Sequence, residues 1–574
     1  MHRNALATLV AFLTFAASGC APGDSVGGDA ETPADLVVTD GRVVTMDDAT
    51  PEAEAVAVRD GRIVAVGSAD EIAAYVGDDT EVVDAAGRLV IPGFIEGHGH
   101  FTGLGDSRMI LDLTTATSWE EIVAMVEEAA ASTPAGTLIR GRGWHQEKWT
   151  DTPEPNVDGV PLHDDLSAVS SEHPVYLTHA SGHASFVNGL ALEMAGIDDG
   201  TPDPAGGTIV RDASGRATGL LRETASGLVG NLRAGEMTDE ERAERFRRQV
   251  ELAGGEALAH GVTAFHDAGT GFGTVDGYRA LADAGELPIR LYVMLRVSNA
   301  SLAENIGDYR MEEYGGGFLT VRSIKRSIDG ALGSHGAWLL EPYEDLPSSA
   351  GLNTSPVDDV EETARIAAEN GFQLNVHAIG DRANREVLDL YQRAWDATGI
   401  GGSDLRWRIE HAQHLHPDDI PRFAGMGVVA SMQGVHGTSD GPWVPEKLGD
   451  ERARTGAYMW RDLWDSGAIV TNGTDVPVEP IDPIASYYSM VSRMMNNGEV
   501  FYPDQALDRV ESLRAYTINA AYSAFQEDVM GSITPGKYGD LVILSADILT
   551  IPEEEIPSAE VDVTILGGEV AYRR

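Results

Sequence analysis

Side chains that commonly bind divalent metals stand at four points of the sequence where a short apolar run ends. The first is Gly97-His98-Gly99-His100, and because alternate residues of an extended chain point to the same side, both imidazoles can reach one ion. The other points carry His377, His411 and Asp475. Any one alone would more often be an ordinary polar residue, but the four together favour a metal site. Imidazoles with a carboxylate suit a borderline cation, with zinc the first expectation and Mn, Fe and Co left open.

These residues need a scaffold that brings distant segments of the chain to one place. Between residues 93 and 532, short apolar strands alternate with helical segments, some opened by capping boxes such as Thr238-Asp239-Glu240-Glu241. Eight βα units predict an α/β fold, a (β/α)8 TIM-like barrel whose active site lies at the C-terminal ends of its parallel strands. The predicted strands are 94–96, 262–265, 289–293, 321–325, 372–376, 405–409, 428–432 and 468–471.

The two ends of the chain outside the predicted barrel are rich in short alternating strands. In segments 36–44 and 55–64, Asp40-Gly41 and Asp60-Gly61 supply the positive φ angles of tight turns, so each segment predicts a hairpin. Because neither end is large enough alone, residues 34–92 and 533–574 are predicted to form one small β-sandwich domain. Residues from about 106 to 233 do not fit the barrel repeat, and we expect an insertion over the barrel mouth.

The first twenty residues predict an export signal rather than part of the fold. A basic start precedes an apolar run too short to span a bilayer, and Ala17-Ser18-Gly19-Cys20 resembles the lipobox of bacterial lipoproteins. This predicts a lipoprotein signal peptide at 1–20, lipidation of Cys20 and a flexible tether at 21–33. The protein would then be lipid-anchored on the periplasmic side of the bacterial cell envelope, with Ala21 favouring the outer membrane. The alternative is an ordinary secretory signal with an incidental cysteine.

The charge of the chain narrows the range of partners. A formal net charge of -50 at pH 7 argues against nucleic acid, because the few basic groups could not neutralise phosphates. The acidic excess is explained equally well by a solvated exterior and by adaptation to high salt. We expect a small-molecule substrate and membrane contact only through the lipid anchor. A homodimer is left open.

The order of these motifs resembles the amidohydrolase superfamily. Residues 92–100, Pro92-Gly93-Phe94-Ile95-Glu96-Gly97-His98-Gly99-His100, are similar to its opening motif. The nearest resemblance is to the amidohydrolase-3 group, which includes N-substituted formamide deformylase-like proteins. The similarity runs from about residue 34 to the end of the chain, and it is specific for the family but not for a substrate. The further segments that carry it are 375–381, 408–413, 473–475, Ser181-Gly182-His183 with Asn188, 219–223 and 533–542.

The resemblance implies a further metal ligand, Lys325, at the end of the fourth strand. A desolvated lysine beside a metal can lose its proton and take up CO2, and the resulting carbamate would bridge two cations. The alternative is an uncarboxylated, salt-bridged lysine with a single metal. The implied ligand set is His98, His100, Lys325, His377, His411 and Asp475. Other histidines nearby offer substitutes, although His411 directly follows its strand and is preferred; they are His266, His414, His416 and His436.

The resemblance also implies the reaction. A metal-bound hydroxide would attack an amide, N-acyl or N-formyl carbon–nitrogen bond, with Asp475 passing the proton from water to the leaving amine. Trp144, His183 and His335 are predicted to contact the substrate, with core packing as the alternative for each. Two other classes stay open: a hydrolase of lactones, esters or cyclic ureides, and a binding lipoprotein without turnover.

Overall fold

The structure is a computed structural model that describes residues 32–230, 232, 237–400 and 402–574. The predicted signal peptide, Cys20 and nearly all of the predicted tether lie outside the described residues. Among the residues described, no helix is both long and apolar enough to cross a membrane.

A parallel barrel of eight strands forms the centre of the molecule. Each strand pairs in parallel with the next along the chain, from β1 to β8. Gly97 N–H donates to Asn472 O at 3.1 Å and Asp475 N–H donates to His98 O at 2.8 Å, which joins the last strand to the first. The predicted α/β barrel is therefore confirmed. The strands are Phe94–Gly99 (β1), Val262–Thr270 (β2), Arg290–Leu295 (β3), Leu319–Ser327 (β4), Gln373–Ala378 (β5), Arg408–His411 (β6), Val429–Ser431 (β7) and Val470–Thr471 (β8).

The predicted strand 405–409 begins too early. Gly402–Leu405 is a short helix, and Arg406 has a φ of 46°, so the chain turns before β6 begins at Arg408. The apolar pattern extended across this turn because Leu405 and Trp407 are both buried. Burial alone does not distinguish a strand from the turn that precedes it.

Helices cover the outside of the barrel with their apolar faces. The longest begins at the predicted capping box, where Thr238 and Glu241 each bond the other's backbone N–H. Helix Asp381–Thr398 buries Val387, Tyr391 and Trp395. The helices that follow the insertion are Asp239–Ala259, Phe272–Ala284, Asn299–Asn305, Tyr314–Gly317, Val357–Asn370, Asp381–Thr398, Gly402–Leu405, Ile420–Met426, Gly434–Asp440, Val444–Leu448, Asp450–Gly456, Trp460–Asp465, Pro483–Ser492, Arg509–Ala515 and Ile518–Ser523.

Two further sheets are formed by the ends of the chain, and the second of them combines strands from both ends. One has the order Arg62–Gly67, Ala55–Arg59, Leu36–Thr39, Glu81–Asp84, and helix Ala69–Ile72 packs beside it. The other has the order Glu569–Arg573, Val561–Leu566, Leu541–Leu544, Leu89–Pro92, Arg42–Val44, Glu52–Ala53. One core of buried side chains, including Val38, Val58, Val90, Ile543 and Ile565, lies between these sheets.

Only one of the two predicted terminal hairpins forms. Strands Ala55–Arg59 and Arg62–Gly67 pair antiparallel around Asp60 and Gly61, which both have positive φ. The hairpin predicted at 36–44 is wrong, because Leu36–Thr39 and Arg42–Val44 belong to different sheets. Asp40 does adopt a φ of 52°, but this turn carries the chain from one sheet to the other. Turn residues predict that the chain changes direction, but they do not predict which strand pairs with the next one.

The segment between β1 and β2 forms its own sheet, as a large insertion. Two separate clusters of buried side chains lie on this sheet, one around Trp119, Trp144 and Phe186 and the other around Tyr176 and Leu221. Its strands are, in sheet order, Gly207–Arg211, Ala217–Glu223, Ala184–Val187, Val175–His179, Ile139–Trp144 and Leu111–Asp112. Its helices are Trp119–Ser132, Asp164–Val169 and Gly189–Met194, and Phe101–Ser107 joins it to β1.

Candidate metal centre

The predicted metal ligands meet at the C-terminal rim of the barrel. His98 lies in β1, Lys325 in β4, His377 in β5 and His411 at the end of β6, while Asp475 follows β8. The ring centroids of His98 and His411 are 4.7 Å apart, and those of His377 and His411 are 4.6 Å apart. Side chains separated by up to 377 residues in sequence therefore share one cluster, as barrel topology predicts.

Asp475 lies among the histidines. Its carboxylate oxygens lie 3.6 Å from His98 Nε2, 3.2 Å from His100 Nε2 and 3.9 Å from His411 Nδ1. One ligand atom each from His98, His411 and Asp475 fall within 4.8 Å of one another, a spacing that could hold an ion. Burial alone would raise the pKa of Asp475, but the surrounding imidazoles hold it well below its usual range.

Two of these residues have an energetically unfavourable backbone conformation. Asp475 has a φ of 58° and His411 a φ of 76°. Both lie in the left-handed region, which residues other than glycine and asparagine rarely adopt. Such conformations cost about 1–3 kcal/mol each and persist where the surroundings enforce them. Here the turn at His411 ends β6, and the turn at Asp475 follows the hydrogen bond from its own N–H to His98 O.

A second set of side chains orients the rim histidines. Nδ1 of His98 hydrogen-bonds to the Glu410 carboxylate, and Nδ1 of His411 lies 2.8 Å from Gln433 Oε1. Nε2 of His377 is 3.4 Å from Asp329 Oδ1 but makes no hydrogen bond within the described chain. Asp329 is fixed by N–H donors from Trp338, Ile379 and Gly380. Partners of this kind commonly fix the rings of metal-binding histidines.

Lys325 is buried within the same cluster. Its side chain is 2% exposed, and Nζ lies 3.3 Å from His98 Nε2. Burial lowers the pKa of Lys325 to about 8, although Glu410 and Asp475 oppose the shift. An ammonium so little favoured by its surroundings can lose its proton near neutral pH.

A cavity of about 670 Å³ opens above the cluster and is shared between barrel and insertion. His183, from the insertion, reaches this cavity, with its ring centroid 5.1 Å from that of His377. Nδ1 of His183 pairs with Glu223 Oε2 at 2.8 Å. Burial alone would lower the pKa of His183, but Glu223 raises it.

The other two predicted substrate contacts lie away from this cavity. Trp144 is 2% exposed, packs in the core of the insertion and donates its indole N–H to Leu177 O. His335 pairs with Asp345 Oδ2 at 2.9 Å. Both border a side cavity of about 320 Å³ that the rim ligands do not line.

The additional histidines divide between barrel interior and surface. His266 lies inside the barrel with Nδ1 3.2 Å from Gly97 O, and His436 bonds Gln413. His414 is buried, and neither ring nitrogen has a hydrogen-bond partner in the part of the chain described. His416 caps the short helix Pro417–Asp419.

Sequence reasoning missed the acids that support the cluster. Glu410, Asp329 and Glu223 each sit in or beside a motif already singled out, yet were given no role. Their positions next to metal-binding motifs were a usable signal, because buried histidines usually need a carboxylate or carbonyl partner.

The residues present fit a divalent metal. Imidazole, carboxylate and a lysine of lowered pKa converge, and Nε2 of the buried His377 makes no hydrogen bond within the described chain. A buried nitrogen without a partner costs about 1–3 kcal/mol, and a bound cation would remove that cost.

The sequence of this chain matches other proteins over nearly its whole length. Residues 81–572 match the amidohydrolase family. Protein LONG AFTER FAR-RED 3 of Arabidopsis thaliana is 34% identical over 94% of this chain and 92% of that protein. N-substituted formamide deformylase of Arthrobacter pascens is 28% identical over 94% of this chain and 98% of that protein.

Solved structures share the fold. The crystal structure of an uncharacterized metal-dependent hydrolase from Pyrococcus horikoshii has a TM-score of 0.71 and 26% identity, covering 90% of this chain and 99% of that one. Atrazine chlorohydrolase from Arthrobacter aurescens, complexed with zinc, has a TM-score of 0.51 and 16% identity, covering 93% and 94%. At that identity the second likeness concerns the fold alone.

Proposed function

This chain belongs to the amidohydrolase family, and from that premise we propose that it is a hydrolase of carbon–nitrogen bonds in amides, N-acyl or N-formyl compounds. The observation that carries the proposal is Asp475, a buried carboxylate that lies 3.2 Å from His100 and 3.6 Å from His98 at the floor of a substrate-sized cavity. The relative named N-substituted formamide deformylase supports this class of bond.

We propose that His98, His100, Lys325, His377, His411 and Asp475 hold one or two divalent cations, zinc first among them. A divalent metal bound there would supply Lewis-acid polarisation and a water of lowered pKa. Lys325 is proposed to react with CO2 and serve as a carbamate, since burial already lowers the pKa of its amine. The uncarboxylated lysine is the competing state.

The chain's own groups account for the proton transfers. With its pKa held low, Asp475 is ionised at neutral pH and can accept a proton from the attacking water. Hydrolysis of an amide then requires a proton on the departing nitrogen, and Asp475 is placed to return it. His183, held by Glu223 in the wall of the same cavity, can donate to the carbonyl oxygen of the substrate. Residues of the insertion, including Thr178 and His183, form part of the cavity wall.

The test compares an amide with its ester and its lactone counterpart on metal-loaded protein. We expect N-formyl and N-acyl amides to be hydrolysed, with activity lost on chelation and restored by zinc. Hydrolysis of esters or lactones without amides would move the function to those bonds. Binding without turnover of any of them would leave a binding protein.

We also propose a domain and cellular setting for the enzyme. Residues 34–92 and 533–574 would form one β-sandwich domain, supported by the core that their two sheets share. The protein would be attached to the bacterial envelope through lipid on Cys20. Labelling with radioactive palmitate should mark the full chain and not a Cys20→Ala variant; equal labelling of both would contradict the anchor.

A further inference from the structure

Arg296 lines the cavity of about 670 Å³ above the cluster but has no part in the proposed chemistry. It directly follows β3, and its side chain is exposed to the cavity. Its backbone N–H donates to Thr270 O at 2.7 Å, and its guanidinium donates to Ser327 Oγ at 3.3 Å. Most of its five N–H donors are therefore available to a ligand.

The side chain of Arg296 runs beside that of Lys325. Gly269, which has a φ of 122°, lies next to both side chains. A methyl group on Gly269 would lie 3.0 Å from Arg296 Cδ and 3.3 Å from Lys325 Cγ, so the two side chains are near each other. Ser327, the partner of the guanidinium, is two residues beyond Lys325 and so on the same face of β4. A group bound to Arg296 would thus lie beside the metal-binding cluster.

The acids of this cavity are already engaged by other groups. Asp106 pairs with Arg140, Glu223 with His183, and Asp475 with His100. Asp329 accepts backbone N–H donors. Within the part of the chain described, no carboxylate pairs with Arg296, although the sequence has 91 acidic residues to 41 basic ones. With so many acidic residues in the chain, one could readily lie beside Arg296. The absence of a described carboxylate partner therefore points to a ligand.

The surroundings of Arg296 also favour an anion. Arg296 stands near the cationic side chains of Lys325 and Arg326, and its charge adds to burial in lowering the pKa of both, so the repulsion between these groups has a cost. Arginine remains charged at any physiological pH, so the cost is met by attracting a negative group rather than by losing a proton. Arg142, another arginine that lines the cavity, donates to the carbonyls of Pro477 and Ala180.

We propose that Arg296 binds a carboxylate of the substrate, a few bonds from the bond that is cleaved. The guanidinium fork matches a carboxylate in two parallel hydrogen bonds. This inference rests on the proposed function and narrows its substrates to acylated or formylated amines that carry a carboxylate, such as N-acyl amino acids. Arg296 would set specificity through binding, without taking part in proton transfer.

The experiment measures binding of probes that cannot be hydrolysed, by calorimetry on the metal-loaded protein. N-phenylsulfonylglycine carries the carboxylate, and N-phenylsulfonylethanolamine replaces it with a neutral hydroxymethyl group. We expect the wild type to bind the carboxylate probe about 10- to 100-fold more tightly, and Arg296→Gln to remove that difference. Arg296→Lys should keep part of it. Arg454→Gln, which changes an exposed arginine outside the cavity, should leave it unchanged.

Equal affinity of the wild type for both probes would overturn the inference, as would a difference that survives in folded Arg296→Gln. Tighter binding of the matching phosphonate would overturn the carboxylate in favour of a phosphate. If Arg296→Gln does not fold, the affinities of the wild type and of Arg296→Lys for the two probes still test the inference. Failure of the proposed function is separate: it would appear as no hydrolysis of amides while the carboxylate preference persists.

Discussion

Histidines of the barrel rim and histidines of the insertion are both largely shielded from solvent, yet their ring nitrogens are used differently. In the insertion, the two nitrogens of His179 lie 2.8 Å from Ser181 Oγ and 3.1 Å from Gln146 Oε1. At the rim, His411 bonds Gln433 through Nδ1, and the described chain supplies no hydrogen bond to Nε2 of His377. His179 is thus paired at both nitrogens within the insertion, whereas at the rim Nε2 of His377 is left without a hydrogen-bond partner among the described residues, beside the other predicted ligands.

Hydrogen bonding of the ring nitrogens therefore distinguishes His179 from the predicted metal ligand His377, although both side chains are buried. A structural imidazole is stable because its polar atoms are paired within the fold. A ligand needs one nitrogen fixed by the protein and the other available for the ion.

The largest effect is expected from Asp475→Asn. The amide cannot accept the proton from water, so kcat should fall by about 10²- to 10⁴-fold while the fold is kept. Steady-state hydrolysis of an N-formyl amide checks this, with Asp345→Asn in the side cavity as the matched control. Undiminished kcat in Asp475→Asn would remove this residue from the chemistry.

A paired substitution tests the two classes of histidine directly. We expect His411→Asn to lose bound metal, because a rim nitrogen is removed. His163→Asn should keep its metal and lose about 1–2 kcal/mol of unfolding free energy, because its bonds to Ser167 and Arg216 are structural. Elemental analysis per chain and urea unfolding measure the two results. Full metal content in His411→Asn would break the contrast.

A smaller effect is expected where a rim ligand keeps its nitrogen but loses its support. Glu410→Gln removes the charge that pairs with His98, so metal affinity should fall about 10- to 100-fold without loss of the fold. Competition with a chelator of known affinity gives the value. Glu527→Gln, which disturbs an ion pair with Arg406 away from the rim, is the control and should bind metal normally.

The smallest effect concerns His414, a buried histidine near the rim whose ring nitrogens have no hydrogen-bond partner within the described chain. Burial lowers its pKa to about 3, so the unfolded chain, with an ordinary pKa of about 6.5, binds a proton that the folded chain does not. Stability should fall as the pH drops below about 6.5, by up to about 1.4 kcal/mol for each unit. Urea midpoints between pH 7 and 5 should depend less on pH in His414→Gln. An unchanged slope would contradict the assignment.

Much of the barrel could be predicted because its signal is local. Each strand is a short apolar run after a helical segment, and each of the eight predicted strands overlaps an observed one. The errors arose where a local signal was ambiguous about its partner. Turn residues at Asp40 and Gly41 were compatible with a hairpin, but pairing depends on distant strands such as Leu89–Pro92.

The site residues also divide into those that a local sequence pattern located and those that it did not. His98, His377, His411 and Asp475 could be grouped because barrel topology gathers strand ends at one rim. Trp144 and His335 could not be placed, since long insertions and loops carry no periodic signal that fixes where a side chain points. In the structure they border the side cavity instead.

The sequence by itself determined the barrel, the kinds of ligand and the family resemblance, because strand periodicity and residue chemistry are properties of short segments. Only the tertiary structure decided which acid supports which histidine, as with Glu410 and His98, which are 312 residues apart. It alone placed Arg296 beside Lys325, where no carboxylate of the described residues pairs with it. Such pairings depend on strand register, barrel closure and the path of the insertion, and these arise from packing of the whole chain.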